Sequence, residues 1–290
     1  MKPAPFDYIA ATSVDMAAAA LADGGDDAKI IAGGQSLVPL LNFRLLRPSI
    51  LIDINRIESL AFISETATDI RVGALTRQYQ LETSPVIARH LPVLSCAMTH
   101  VAHLAIRNRG TIGGSLAHGD PAAELPMMAL LLDAELHIGS VSAARITAAR
   151  DFFLDALTVD LNAGEIVTEI ALPKLPPQTG WGFAEVSRPR GDFALAAAAT
   201  LAVAAGAIVE ARIALSGIGR TAVRAATAES LLVGHALEPP LVSQAIEAVR
   251  AAIEPDTDLH ASADYRRHLA GVLTGRALAA AWRRANESAA

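Results

Sequence analysis

Two stretches of the chain join adjacent glycines to hydroxyl and amide side chains: Ala32-Gly33-Gly34-Gln35-Ser36-Leu37 and Thr111-Ile112-Gly113-Gly114-Ser115-Leu116. Glycine lets the main chain approach a ligand closely and adopt positive φ, so successive N–H groups can converge on an anion with no lysine present. A diphosphate is the natural ligand for two such turns facing each other. Ser36, Thr111 and Ser115 would add hydroxyl donors, and Gln35 could donate or accept at a phosphate or ring edge. Neither stretch fits G-x-G-x-x-G or the P-loop pattern, so the two standard nucleotide fingerprints are absent. Taken singly, each pair also reads as a plain tight turn.

A second group of reactive side chains follows the second pair: His118, Asp120 and Glu124, with His100 and His103 upstream. His100 and His103 are three apart and could share a helix face, so these residues could ligate a metal in a hydrolase, although no H-E-x-x-H spacing occurs. Arg107 and Arg109 flank the second glycine pair and read either as phosphate or partner contacts or as solvated loop charges.

The elements that must position these groups belong to a chain of 290 residues, 52% hydrophobic and only 4% aromatic, with a formal net charge of -6. That length suggests about two domains with real cores. The single cysteine, Cys96, leaves no intrachain disulfide and no cysteine-rich zinc or iron–sulfur site, so any such centre belongs to a partner. The acidic balance, with no long run of like charge, argues against a nucleic-acid surface. The first residues carry neither signal-peptide nor transit-peptide features, so a cytoplasmic location is expected. The uncharged run Phe193–Val209 is shorter than the ~20 residues of a spanning helix and reads as a buried strand or helix.

Along the chain, Ser13 caps a helix that Gly24-Gly25 stops. A strand at Lys29–Ala32, the first glycine turn, a short helix within Ser36–Leu46 and a strand at Ile50–Ile54 follow. Ala61–Ser64 and Asp69–Gly73 read as a hairpin, and Thr76–Val101 as helix broken at Pro85 and Pro92. Ile106–Pro121 is too polar and glycine-rich for a regular element and reads as a long functional loop. Pro121 is placed to start a buried helix over Ala122–Leu132. Strands are expected at Ala134–Ile138, Ala144–Ala148 and Ile166–Leu172. A linker at Pro173–Gly180 is followed by three strands (Trp181–Ser187, Ala194–Ala204, Val209–Ser216) and three helices (Ala225–Leu232, Leu241–Ile253, Ser262–Asn286).

At the level of motifs, Ala32 through Leu45 resembles the first FAD-binding segment of the medium subunit of molybdenum hydroxylases, the group that includes carbon monoxide dehydrogenase and xanthine dehydrogenase. Thr111 through Glu124 resembles its second segment. The resemblance continues through Gly164–Pro173 and Gly191-Asp192-Phe193-Ala194, so it covers nearly the whole chain.

The fold that this resemblance implies is α+β: a vanillyl-alcohol-oxidase-type (PCMH-type) FAD-binding domain at 1–176, made of subdomains at about 1–56 and 57–176. A C-terminal domain of three-stranded antiparallel sheet plus helices would follow at 177–290. Non-covalent FAD would be lined by Ala32, Gly33, Gly34, Gln35, Ser36, Leu37, Thr111, Ile112, Gly113, Gly114 and Ser115. His118, Asp120, Glu124, Ile166, Val167 and Arg188 would complete the site, with glutamate at 124 where the family commonly has aspartate and with no lysine upstream of Gly191-Asp192. The family places the molybdenum cofactor in a large partner subunit and two [2Fe-2S] clusters in a small one, in an expected dimer of heterotrimers. This chain would then need no acid or base of its own: electrons would reach FAD from the clusters and leave to an external acceptor. The alternatives are a stand-alone FAD-dependent oxidase and a metal-dependent hydrolase using His100, His103 and His118. Substrate and electron acceptor stay open, with carbon monoxide, a purine, an N-heterocycle and an aldehyde all compatible.

Overall fold

The fold, taken from a computed structural model, is described for residues 2–187, 191–192 and 195–287. It begins with β1 (Asp7–Ala10), α1 (Val14–Gly24), β2 (Ala28–Ile31), α2 (Leu37–Asn42) and β3 (Ile50–Asp53). Ser13 caps α1 as expected, its side chain accepting from the Met16 N–H. The three strands form a parallel sheet in the order β1-β3-β2, against which Ala17 and Ala18 of α1 are buried with Ile52. β1 escaped the sequence reading because none of its residues is buried at the sheet edge, two being exposed and two half-buried, which removes the apolar signal of a buried strand.

The next sheet has five strands, all pairs antiparallel, in the order β4-β5-β10-β6-β7. β4 (Ile63–Glu65) and β5 (Asp69–Gly73) form the anticipated hairpin. Three short helices follow, α3 (Gln78–Thr83), α4 (Pro85–His90) and α5 (Pro92–Met98), with Pro85 and Pro92 at the first turns of the latter two. Proline lacks the N–H that would be unsatisfied there anyway, so it starts these helices as effectively as it ends the preceding ones. Then come α6 (Leu104–Arg107), α7 (Ile112–His118) and α8 (Glu124–Leu131), the last buried along its whole length.

Residues 106–121 are therefore not one long loop. Glycine costs a helix about 1 kcal/mol relative to alanine, but Thr111 caps α7 by accepting from the Gly114 N–H, and Ile112 and Leu116 bury against the main core. Tertiary burial and the cap outweigh the propensity. Gly119 closes α7 in the left-handed region at φ 64°, which favours glycine. Pro121 does not start α8, whose N-cap is Ala123. Asp120 instead turns the chain there, its carboxylate accepting from the Ala122 N–H.

β6 (Glu135–Gly139), β7 (Ala144–Ala148), α9 (Ala149–Phe152), β8 (Phe153–Asp155), β9 (Thr158–Val159) and β10 (Ile166–Pro173) complete this part. β8 and β9, a small hairpin unforeseen in the sequence, pack against Gly119 through Val159.

The last sheet is antiparallel, in the order β11-β12-β13-β14, from β11 (Thr179–Val186), β12 (Leu195–Ala204), β13 (Ala207–Ser216) and β14 (Val223–Arg224). The two-residue β14 extends the three long strands at one edge. α10 (Ala226–Leu232), α11 (Pro239–Ala251) and α12 (Ala263–Glu287) follow. The described part of the uncharged run 193–209 is thus strand β12 and the start of β13. Among the described residues no helix is long and apolar enough to cross a membrane.

α12 lies unusually close to β11. A Cβ at Gly180 would overlap the Ala281 carbonyl, and one at Gly182 would overlap the Ala277 carbonyl. Ala270, Ala277 and Ala281 are fully buried in this core. Small residues on both surfaces let backbone pack on backbone, which gives part of the alanine richness a physical purpose.

Candidate functional site

The first glycine segment leaves β2 and enters α2, while the second links α6 to α7. Gly33 is buried against the main chain of the second segment: a Cβ on it would overlap the Arg109 carbonyl and lie 2.9 Å from the Gly110 Cα. A Cβ on Gly114 would lie 3.8 Å from the Ala32 Cβ. The two segments therefore meet, although 77 positions separate Gly33 from Gly110 in the sequence.

The segments differ in what they offer a ligand. In the second, the N–H groups of Ile112 and Gly113 donate to the carbonyls of Thr76 and Ala74 at 3.1 and 2.9 Å, and that of Gly114 donates to Thr111 Oγ1. In the first, the N–H groups of Gly33, Gly34, Gln35 and Ser36 donate to no acceptor among the described residues. Four successive donors without an acceptor, with Gly34 at φ 74°, are available to an anion, because main-chain N–H groups need a partner. The two segments are thus unequal: the Ile112, Gly113 and Gly114 amides of the second are already paired, and those of the first are not.

The second glycine pair also divides its work. Gly113 is buried against Ala74, whose Cβ would stand 2.5 Å from one placed on the glycine, whereas Gly114 is exposed and faces the first segment. Ser115 stands half-buried and Ser36 exposed. Gln35 Nε2 donates to the carbonyl of Gly33, two residues back, over 2.9 Å, which holds the turn. Leu37 is half-buried at the start of α2.

Beyond the two segments, His118 ends α7 half-buried, and Glu124 begins α8 with only 8% of its surface exposed. Burial pushes the Glu124 carboxyl up to about 7, and the nearby carboxylates of Glu185 and Asp120 push the same way, against its backbone hydrogen bond and His100. Ile166 and Val167 are buried where β10 starts. Arg188 lies outside the described residues, as do Phe193 and Ala194.

The proposed metal ligands do not assemble. Among the described residues no three His, Cys, Asp or Glu side chains are placed to hold a metal ion. His103 is exposed at the N-cap of α6. His100 instead pairs with Glu185 at 3.6 Å and packs on the Phe183 ring, with centroids 4.8 Å apart. Cys96 and Glu185 beside it hold the imidazolium and raise its pKa to about 9. Arg107 turns inward to Glu82 and to the carbonyls of Val101 and Ala102, so it braces the chain before α7 and does not face a phosphate. Arg109 contributes its carbonyl.

Two residues that the sequence reading passed over tie the segments together. Arg77 donates through Nη1 to the Arg109 carbonyl at 2.6 Å and through Nη2 to Asn55 Oδ1 at 2.8 Å. Asn55 Nδ2 donates onward to the Ala32 carbonyl at 2.7 Å. An open groove of about 420 Å³ lies beside them, lined by Asn55, Glu58, Leu75, Arg77 and Gln80 among others. Neither residue sits in a motif; Asn55 follows β3 by one intervening residue and Arg77 is the N-cap of α3.

Residues 4–175 match the family described as the FAD binding domain in molybdopterin dehydrogenase, and residues 181–281 match the CO dehydrogenase flavoprotein C-terminal domain. The chain is 45% identical to the 6-hydroxypseudooxynicotine dehydrogenase complex subunit alpha of Paenarthrobacter nicotinovorans, over 98% of this chain and 97% of that one. It is 38% identical to the carbon monoxide dehydrogenase medium chain of Hydrogenophaga pseudoflava, covering 98% and 99% of the two chains. A solved structure of carbon monoxide dehydrogenase from the same organism superposes with a TM-score of 0.96 at 38% identity, over 98% of this chain and 99% of that chain. With both halves matched, the chain belongs to the FAD-binding medium-subunit family of the molybdenum hydroxylases, as the oxidoreductase component that carries FAD.

Proposed function

We propose that the chain is the flavin-bearing electron relay of a multi-subunit molybdenum hydroxylase, taking electrons from iron–sulfur clusters in a small partner subunit and releasing them to an external acceptor. The observation that carries this reading is the run of unpaired amides at Gly33–Ser36 in a turn that packs on the second glycine segment through Gly33. A diphosphate satisfies such donors without any basic side chain. When bound, FAD supplies the ability to accept electrons singly or in pairs.

The chain's own residues then have positional tasks. The Gly33–Ser36 amides and the Ser36 and Ser115 hydroxyls would hold the diphosphate, and the exposed face of Gly114 would leave room for it. Glu124, His118 and Asp120 would lie toward the remainder of the cofactor, with Ile166 and Val167 as an apolar wall that excludes water. In this division residues 1–176 carry FAD and 177–290 form the C-terminal domain. A large subunit with the molybdenum cofactor would receive the substrate, and the complex would be cytoplasmic. The hydrolase alternative loses its basis, since its three histidines are not gathered.

The test is purification of the tagged chain with its native partners. The expected result is a complex with large and small subunits whose spectrum shows flavin and iron–sulfur bands, and an isolated chain that binds FAD but whose flavin the substrate does not reduce in the absence of the partners. Substrate-dependent bleaching of flavin by the isolated chain would instead establish a stand-alone oxidase.

A further inference from the structure

We infer that Arg77 is a positioning residue that fixes the spacing of the two glycine segments, its planar guanidinium joining the Arg109 carbonyl to Asn55 and, through Asn55, to the Ala32 carbonyl. The identity of the ligand so served rests on the FAD reading above; the latch itself rests on the geometry alone.

Among the described residues, no hydrogen bond runs directly from residues 32–37 to residues 109–116. What touches directly is Gly33 on the Arg109–Gly110 main chain, a close approach that fixes distance but little direction. The direction comes from the relay. Arg77 is well placed for it: its main chain bridges Thr111 in antiparallel fashion, and its N–H donates to Gln80 Oε1, which holds it at the start of α3. Asn55 is equally fixed. Its Nδ2 donates to Asp53 Oδ1 at 2.6 Å as well as to Ala32, its main-chain N–H donates to the same oxygen, and Tyr8 Oη donates to the other Asp53 oxygen at 2.6 Å. A chain of hydrogen bonds thus runs from β1 through Tyr8, Asp53, Asn55 and Arg77 to the second glycine segment.

The guanidinium is half-buried and, among the described residues, makes no ion pair with a carboxylate. Its charge is met by two neutral oxygens and, one residue further away, by Asp53. A planar fork of fixed geometry can bond two acceptors in different directions at once; a lysine ammonium on its flexible stem is a point charge and does not reproduce that geometry. The charge alone is therefore not what the position requires.

The test uses the full chain with Arg77→Lys, Arg77→Ala, Asn55→Ala and the Arg77→Ala/Asn55→Ala pair. It has two readouts: FAD affinity from flavin fluorescence, and amide hydrogen exchange of the FAD-free protein over residues 32–37 and 109–116. Each single variant is expected to weaken FAD binding about ten- to hundredfold, the range set by losing one or two hydrogen bonds to a charged group. The double variant should be little worse than either single one, because one relay is broken twice. Exchange should quicken over residues 109–116, where the Ile112, Gly113 and Gly114 amides are hydrogen-bonded, and stay unchanged in β11 and α12; the unpaired amides of Gly33–Ser36 serve as the fast-exchanging reference. Wild-type affinity in Arg77→Lys would show that charge alone suffices and would overturn the latch, as would unchanged exchange over residues 109–116. Should Arg77→Ala not fold, Arg77→Lys decides by the same readouts. If the wild-type chain binds no FAD, the FAD reading falls, and the exchange data still decide the latch.

Discussion

Gly33 packs on the carbonyl of Arg109 so closely that no side chain fits between them. One glycine thereby joins a turn of the parallel sheet to the loop that feeds α7, and the unpaired amides of residues 33–36 begin at that contact. Gly33→Ala should force the segments apart. Overpacking of this kind costs about 1–3 kcal/mol, so the FAD-free protein should melt several degrees lower and purify without flavin. Stoichiometric FAD in that variant would remove Gly33 from the proposed FAD site.

Gly114 offers a contrasting case, because it is exposed and a Cβ there would meet chiefly Thr111 Oγ1, at 2.7 Å. Gly114→Val should leave the circular dichroism spectrum close to wild type while filling the space before Ala32. Flavin absorbance per mole of protein is the measurement, and loss of FAD with retained fold is the expected outcome.

Glu124 makes stability depend on pH. Its carboxyl titrates near 4.5 when unconstrained and is pushed up to about 7 by burial, so between those values the folded chain holds a proton that the unfolded chain has released. Its stabilising contribution is complete below about pH 4.5 and declines by on the order of 3 kcal/mol as pH rises to about 7. His100 acts in the same direction at higher pH: with its pKa raised from 6.5 to about 9, its contribution is complete below about 6.5 and is lost as pH rises through 9. Urea midpoints for Glu124→Gln should therefore lack the decline between pH 5 and 7 and keep the later one. Parallel curves for variant and wild type would show that Glu124 is ionised in the folded protein.

Gly182 tests the close packing of α12 on β11. Gly182→Val would drive a side chain into the Ala277 carbonyl and should cost the C-terminal domain roughly 3 kcal/mol or more. Proteolysis is expected to begin within residues 177–290 while FAD binding by the preceding sheets persists. A melting temperature equal to wild type would mean that α12 can shift outward at little cost.

Much of this was already written in the sequence. Prolines at 85 and 92, the Ser13 cap, the alternation of short apolar runs and the paired glycines act locally, through fixed φ, a missing N–H or a missing Cβ. They located nearly every long element and the two glycine segments that the fold brings into contact. The tertiary structure decided what depends on contact between distant residues. α7 forms through a polar, glycine-bearing stretch because Thr111 caps it and the core receives Ile112 and Leu116. Gly113 and Gly114, indistinguishable as letters, divide into one that packs on Ala74 and one that faces Ala32. His100 and His103, three positions apart, separate because one finds Glu185 across the fold and the other finds solvent. Asn55 and Arg77 carry no motif, since a relay between two loops is defined by the space between them, and only the folded chain brings that space into being.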